Sequence, residues 1–242
     1  MRAIYHKEMR QYFHSVMGYV FLAIFMLISG FYFTVGNLLS RSGDISYFFQ
    51  NIISLLMYLI PMLTMRSFAE EKKIKTEQLL FTAPVSTTEI VLGKFCAAMS
   101  VFLCGLAVTL VYPIILALFS NNTFIGALQN MFWETLGNYL AIILLVGAFV
   151  AIGIFISAIT ENQVVAAILS YVVLFGLWMS SMMATNNQNE LLASVLTGLS
   201  LFIKYYEMTM GVFNPASILF YITLIFVFLF LTVRVLERRR WS

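Results

Sequence analysis

Arg66-Ser-Phe-Ala-Glu-Glu-Lys-Lys-Ile-Lys-Thr-Glu-Gln-Leu-Leu-Phe-Thr-Ala-Pro84 is a charged island between two long hydrophobic stretches. Counted with Lys94, it holds five of the 14 lysine and arginine residues of the chain. The 242 residues are 61% hydrophobic and 10% charged, with a mean hydropathy of +0.92. A water-soluble fold of this length could not bury so much apolar surface. The composition therefore predicts an integral membrane protein, and the island is where it is expected to meet a soluble partner.

Membrane spans follow from length and apolarity. A spanning helix needs about 20 mostly apolar residues, because lipid offers no hydrogen-bond partner to an exposed backbone. A seventh apolar segment, Leu191 to Gly211, carries Lys204 and Glu207 and is a poorer candidate. Six stretches meet the requirement: Val16 to Leu39, Phe48 to Met65, Phe95 to Phe119, Phe132 to Ile159, Val164 to Ala184 and Ala216 to Val235.

The distribution of positive charge decides between six and seven spans. Lysine and arginine collect in cytoplasmic loops, and six spans put both termini and the island on the cytoplasmic side, leaving only Arg41 and Lys204 outside. A seventh span would move the basic C-terminus to the outer side. Leu191 to Gly211 is therefore interpreted as a re-entrant or interfacial segment. The cytoplasmic set is Arg2, Lys7, Arg10, Arg66, Lys72, Lys73, Lys75, Lys94, Arg234, Arg238, Arg239 and Arg240.

The N-terminal residues 1–15 are too polar for a span but combine apolar and basic side chains. They are predicted to form an amphipathic helix on the cytoplasmic leaflet. The predicted fold is thus an all-α integral membrane domain over residues 1–242, with a cytoplasmic coupling loop at 66–94 and an outer re-entrant segment at 185–215.

Catalytic chemistry is not indicated by the sequence, which predicts neither a catalytic residue nor a metal site. A phosphate-binding P-loop needs a glycine, four residues and then Gly-Lys-Ser/Thr. The pair Gly93-Lys94 is followed by Phe95, and Thr88 stands where the first glycine would be. If ATP drives this protein, ATP and Mg²⁺ are expected on a partner chain.

Several elements of the island form a recognisable series: Glu70-Glu71, Thr76-Glu77-Gln-Leu79-Leu80, Pro84-Val-Ser86 and Gly93-Lys94. This series resembles the first cytoplasmic loop of ABC-2 type exporter permeases. Lys7-Glu8-Met-Arg-Gln-Tyr-Phe13 and Ser157-Ala-Ile-Thr-Glu-Asn-Gln163 look like the gliding-motility type subgroup of these permeases. One departure is visible, because the family commonly has glycine before Thr76 and this chain has Lys75.

The resemblance implies an ABC-2 (type V) exporter-like architecture. In such a transporter the island rests on a separate ABC ATPase subunit, and two six-span subunits pair around a path, with a homodimer favoured over a pair with a related permease. The residues from Phe68 to Phe81 permit a coupling helix until Pro84 disfavours its continuation. The residues predicted to couple to the ATPase are Arg66, Glu70, Glu71, Thr76, Glu77, Leu79 and Leu80.

Two further sets of residues are candidates for transport itself. Short outer helices close the exit in ABC-2 exporters, so Lys204, Tyr205, Tyr206 and Glu207 are predicted to form an outer gate, with an interfacial anchor as the alternative. Polar residues on spans are candidates for the path, although helix–helix hydrogen bonds are the more common role of such residues. These path candidates are Asn37, Gln50, Asn51, Tyr58, Thr64, Thr109 and Tyr112.

Two other classes of protein remain open at this stage. A membrane scaffold that recruits a soluble complex through the island would show no ATP-dependent activity. A channel or secondary carrier would work without an ATPase, but it usually needs ionisable groups inside the membrane, and none lies near the middle of the six predicted spans. A permease in a bacterial cytoplasmic membrane is the favoured interpretation, with an extracytoplasmic accessory protein as a further candidate partner.

Overall fold

The computed structural model describes residues 1–76, 85–119, 124–186, 196–211 and 214–240, and within these ranges the regular structure is helical. In chain order the helices are α1 (Arg2–His14), α2 (Val16–Phe33, continued by a π-helical stretch at Thr34–Leu39), α3 (Ser46–Thr64), α4 (Arg66–Lys73), α5 (Thr87–Thr109), α6 (Val111–Phe119), α7 (Phe124–Ile159), α8 (Gln163–Asn186), α9 (Leu201–Thr209) and α10 (Pro215–Arg240).

Six of the described segments are long and apolar enough to cross a membrane. The six predicted spans are therefore confirmed, with α3 and α4 together forming one segment at Ser46–Lys73 and α5 running on into α6 at Thr87–Leu118. The segment formed by α5 and α6 is interrupted at Leu110, before Pro113. Proline removes a backbone donor and its ring crowds the carbonyl four residues earlier, which accounts for a break at this point. The nine-residue α9 is too short to span.

The centre of the bundle is α7, which contacts α10, α3, α9 and α8. The glycines of α7 allow neighbouring helices to approach its backbone closely. A Cβ atom added at Gly153 would lie 2.2 Å from Thr64 Oγ1, and one at Gly147 would lie 2.9 Å from Ile225 Cδ1. Small residues are what membrane helices use to pack tightly. Gly153 and Gly147 therefore allow α7 to pack closely against α3 and α10.

One end of the bundle gathers α1, α4 and the adjoining ends of α5, α7 and α10. The N-terminal amine lies 3.3 Å from Glu89 Oε2, the Thr87 hydroxyl donates to Glu237 Oε1 at 3.3 Å, and Arg239 donates to the Ile159 carbonyl at 3.3 Å. We call this the basic end, because it holds the residues that the charge rule assigned to the cytoplasm.

The predicted coupling helix from Phe68 to Phe81 is wrong as one unbroken helix, and its residues 77–81 lie outside the described residues. Helix α4 begins at Arg66 and ends at Lys73, and Lys75 adopts a φ of 59°. The Thr76 amide donates to the Glu71 carbonyl at 2.9 Å and the Lys75 amide donates to the Lys72 carbonyl at 3.0 Å. These two bonds are those of a Schellman motif, in which the left-handed position favours glycine. A terminating motif therefore ends the helix well before Pro84.

Candidate functional site

Lys94 lies at the centre of a buried charge network at the basic end. Its side chain is 1% exposed, and its Nζ donates to Glu8 Oε1 at 2.7 Å and to the Ser67 carbonyl at 2.6 Å. A third contact places Glu71 Oε2 at 3.1 Å from the same Nζ as an ion pair. The Phe68 ring lies beneath the ammonium, 4.9 Å from Nζ to the ring centre. One lysine of α5 thus binds α1 and α4 at once.

Glu71 is shared between two cations. Its other carboxylate oxygen, Oε1, accepts from Lys7 Nζ at 2.8 Å. Lys7 is half-exposed, whereas Glu8 and Glu71 are buried. Buried charges persist when they are paired and hydrogen-bonded. The buried cation here is matched by carboxylates from two different helices.

The packing of α1 against α5 explains why glycine precedes the lysine in the Gly93-Lys94 pair. A Cβ atom at Gly93 would lie 2.9 Å from Ile4 Cγ2, so the missing side chain lets α1 approach. Farther along α1, the buried Tyr12 hydroxyl donates to the Leu63 carbonyl at 3.2 Å. Burial, and then the charge of Glu8, raises the pKa of Tyr12, so this hydroxyl remains a donor.

Ser157 anchors the start of α4 to the end of α7. Its Oγ accepts from the Phe68 amide at 3.0 Å and the Ala69 amide at 3.1 Å, and it donates to the Met65 carbonyl at 3.0 Å. The first amides of a helix have no partner within the helix, and Ser157 supplies one. Lys72 Nζ donates to the Ala158 and Thr160 carbonyls, which would otherwise be free at the end of α7. The loop and α7 are therefore joined directly.

The predicted coupling residues fall into three groups. Glu71 is part of the charge network, and Arg66 Nε lies 4.0 Å from Glu70 Oε2 beside it. Thr76 caps α4, with its hydroxyl donating to the Glu71 carbonyl at 3.3 Å. Three other predicted coupling residues lie outside the described residues: Glu77, Leu79 and Leu80.

Three of the predicted path residues share one groove. Gln50, Asn51 and Tyr58 of α3 line a cavity of about 280 Å³ between α3 and α8, and Tyr206 of α9 also lines it. Tyr171 of α8 completes this side by donating its hydroxyl to the Tyr58 hydroxyl at 2.9 Å. The structure thus brings one predicted gate residue together with part of the predicted path. We call this cavity the α3–α8 groove.

Other path candidates make contacts within the subunit, away from the groove. The Asn37 amide donates to the Asp44 carbonyl at 2.8 Å, and the Thr109 hydroxyl lies 3.0 Å from the Tyr139 hydroxyl. Tyr112 stacks on Phe33 with ring centres 4.3 Å apart. These contacts fit the more common role of polar residues on spans, which is to join helices. Thr64 likewise packs against α7, as described above.

The predicted gate residues lie on α9. The buried Tyr205 donates its hydroxyl to the Phe49 carbonyl at 2.8 Å, which fixes α9 on α3. Lys204 Nζ lies 4.9 Å from the centre of the Phe220 ring, and Glu207 is exposed. The Tyr221 hydroxyl donates to the Leu201 carbonyl at 2.6 Å. Helix α9 thus packs on α7 and α8, and tyrosine hydrogen bonds join it to α3 and α10.

Sequence reasoning missed three members of the site: Glu8, Lys94 as a buried residue, and Ser157. The sequence identifies Glu8 and Ser157 only as parts of the two stretches that look like the gliding-motility type subgroup, and Lys94 as a cytoplasmic charge and part of the Gly93-Lys94 pair. A signal for the two charged residues is present, because each stands next to an apolar surface where an unpaired charge would be costly. Ser157 carried no such signal, since serine on a span is common.

Comparison with known families gives a match to the ABC-2 family transporter protein over residues 9–177. A comparison with curated proteins finds no match. The matched region contains most of the charge network, from Glu71 to Lys94, together with Ser157, and it includes the α3–α8 groove up to Phe175. The chain therefore belongs to the ABC-2 transporter family, as the multi-pass membrane permease component of an ABC transporter.

Proposed function

We propose that this permease couples ATP hydrolysis by a separate nucleotide-binding subunit to export, or to work on an extracytoplasmic partner. ATP and Mg²⁺ are bound by that subunit and not by this chain. The contact surface is the exposed side of α4 with the segment that follows it, including Glu77, Leu79 and Leu80. Both termini and the basic end then face the cytoplasm, in a bacterial inner membrane.

The observation that carries this proposal is the charge network around Lys94. A force applied to α4 would be transmitted through Lys94 to α5 and through Ser157 to α7, because hydrogen bonds join these elements directly. The connection from α4 to α3 is covalent and nearly continuous, with only Met65 between them. A loop that merely fixed topology would need no such attachment. The attachment suits a loop that moves the spans.

The path proposed for the substrate runs along the α3–α8 groove. Helix α8 has many exposed apolar residues, among them Val165, Ile168 and Val172. A second copy of this chain, packed against this face, would close the groove on its open side. A homodimer supplies that copy most simply. The proposal includes a place near the gliding-motility type permeases, which rests on the sequence resemblance of the Lys7-Glu8 and Ser157 segments alone.

The test is purification of the C-terminally tagged protein from native membranes in mild detergent. We expect a P-loop ATPase to co-purify and to show vanadate-sensitive ATP hydrolysis. Glu77→Arg and Leu80→Asp should leave the permease inserted while removing the ATPase, because each changes the contact surface and spares the spans. Lys204→Glu, at the opposite end, is the control and should retain the ATPase.

Each outcome has a clear meaning. Co-purification without any effect of Glu77→Arg or Leu80→Asp would place the contact elsewhere. A permease that purifies alone and hydrolyses no ATP, under conditions that preserve complexes, would favour a scaffold or a channel.

A further inference from the structure

Aromatic side chains form the walls of the α3–α8 groove. Tyr58 and Tyr171 stack with ring centres 4.7 Å apart, and Phe175 stacks on Tyr171 at 5.9 Å. Trp178 follows at 5.5 Å from Phe175, and Tyr206 closes the far side. Rings arranged in this way offer faces and edges to another ring, and each such pair contributes beyond the area it buries.

Unused hydrogen-bonding groups lie beside these rings. The Gln50 side chain has no hydrogen-bond partner among the described residues, although it lines the groove. Asn51 donates one amide hydrogen to the Tyr47 carbonyl at 2.7 Å, which leaves its second hydrogen to a ligand. Polar groups in a membrane are costly when unpaired. These amides therefore point to a ligand with its own polar atoms.

Full charges are missing from the described lining of the groove. Its described residues are three tyrosines, one tryptophan, two amides, one serine and apolar side chains, and none of them is an acid, a lysine, an arginine or a histidine. A charged ligand would have no counter-ion there and would lose its hydration on entry. Aromatic faces attract cations. For a cationic ligand, however, this attraction alone would have to offset the full free-energy cost of losing its hydration shell.

We infer that the α3–α8 groove binds an uncharged, ring-bearing amphipathic compound. The rings of the groove stack on the ligand, and Gln50 and Asn51 bind its polar atoms. A volume of about 280 Å³ is near the low end for small-molecule sites, roughly 300–1,000 Å³. That this compound is the transported substrate rests on the proposed function, whereas its binding requires neither ATP nor a partner ATPase.

Trp178 makes the binding directly measurable. Trp133→Phe and Trp241→Phe would leave Trp178 as the only tryptophan of the three in the chain. Bromine quenches tryptophan fluorescence on contact, so three probes with the same ring report contact with this side chain. The probes are (6-bromo-2-naphthyl)methanol, its trimethylammonium counterpart and 6-bromo-2-naphthoate, titrated into the purified permease without ATP.

We expect saturable quenching by the neutral alcohol, with a Kd at least about tenfold lower than for either charged probe. Phe175→Ala should raise that Kd about three- to tenfold, while Phe175→Tyr restores it. Phe226→Ala, on an exposed face of α10, is the matched control and should leave the Kd unchanged. Gel filtration of each variant confirms that it is folded.

The inference is overturned if the trimethylammonium or carboxylate probe binds more tightly than the alcohol. It is also overturned if quenching rises linearly with the alcohol, as partition into detergent would produce, or if Phe226→Ala acts as strongly as Phe175→Ala. Saturable binding in a permease that recruits no ATPase would support the groove site and contradict the proposed coupling, so the two proposals fail separately.

Discussion

Removing the Lys94 ammonium tests the charge network most directly. In Lys94→Met the side chain keeps a similar length, but Glu8 and Glu71 lose their shared cation while remaining 4% and 6% exposed. Breaking a buried ion pair by removing one partner costs about 3–5 kcal/mol, because the remaining charge stays buried without compensation. Glu71 keeps Lys7, so most of the loss falls on Glu8. For a chain of this length, about 3–5 kcal/mol corresponds to a fall in Tm of roughly 6–20 °C.

The assay is thermal unfolding of the detergent-solubilised permease, with Glu8→Gln/Lys94→Met beside the single variants. We expect the double variant to be about 1–3 kcal/mol more stable than the sum of the two single losses, because the neutral amide that replaces the Glu8 carboxylate no longer needs the cation. Lys7→Met is the matched control: half-exposed ion pairs are screened by solvent, so it should cost less than about 1 kcal/mol. Equal losses for Lys94→Met and Lys7→Met, or strict additivity with Glu8→Gln, would refute the buried network.

Three other substitutions test, by the same thermal assay, where α4 ends and how α7 is joined to α3 and α4. Lys75→Gly should stabilise the fold by about 1 kcal/mol, since glycine has no steric penalty at a φ of 59°. Lys73→Gly, in the last helical turn, should destabilise the fold by a similar amount. A change of the same sign for both variants would contradict the Schellman geometry. Gly153→Ala should cost about 1–3 kcal/mol of stability, because the added methyl group meets Thr64. Adding Thr64→Ala to this variant should restore part of the lost stability. A failure to do so would show that the clash lies elsewhere. Ser157→Ala should cost at least about 2 kcal/mol, because two buried amides lose their acceptor; a change under about 0.5 kcal/mol would show that these amides find another partner.

Hydropathy and charge sufficed to predict the spans, because lipid leaves the backbone few alternatives. The six spans followed from apolar length, and the segment that contains α9 was set apart from them by its charges. These are properties of single segments. They do not depend on which helix packs against which.

The extent of the coupling helix was not predictable by the same means. Its end depends on Lys75 accepting a left-handed conformation, and no helix-ending signal stood there because the residue is lysine. The family's glycine before Thr76 now has a physical reason, since that position is the one in the Schellman motif that favours glycine. The resemblance marked the position, and only the backbone geometry gave its meaning.

The partners of Lys94 were hidden for a different reason. Glu8, Glu71 and Lys94 come from three helices, and their spacing in sequence carries no period that would connect them. Nor did the sequence separate Gln50 and Asn51, which line the groove, from Asn37 and Thr109, which are bonded inside the subunit. Both distinctions are made by packing between helices, which a single sequence does not encode locally.

The groove and the charge network are linked by one nearly continuous pair of helices. Tyr58 lines the groove on α3, and Glu71 enters the network on α4, 13 residues farther along. At 1.5 Å per residue this is a distance of about 20 Å. The Met65 amide donates to the Pro61 carbonyl at 2.9 Å across the junction, and Ser157 holds the Met65 carbonyl. A displacement of α4 by a bound ATPase would therefore reach the groove along α3 with little loss, since the junction is hydrogen-bonded on both sides. This continuity gives a physical route from the proposed coupling surface to the proposed ligand site, through residues that the family match includes.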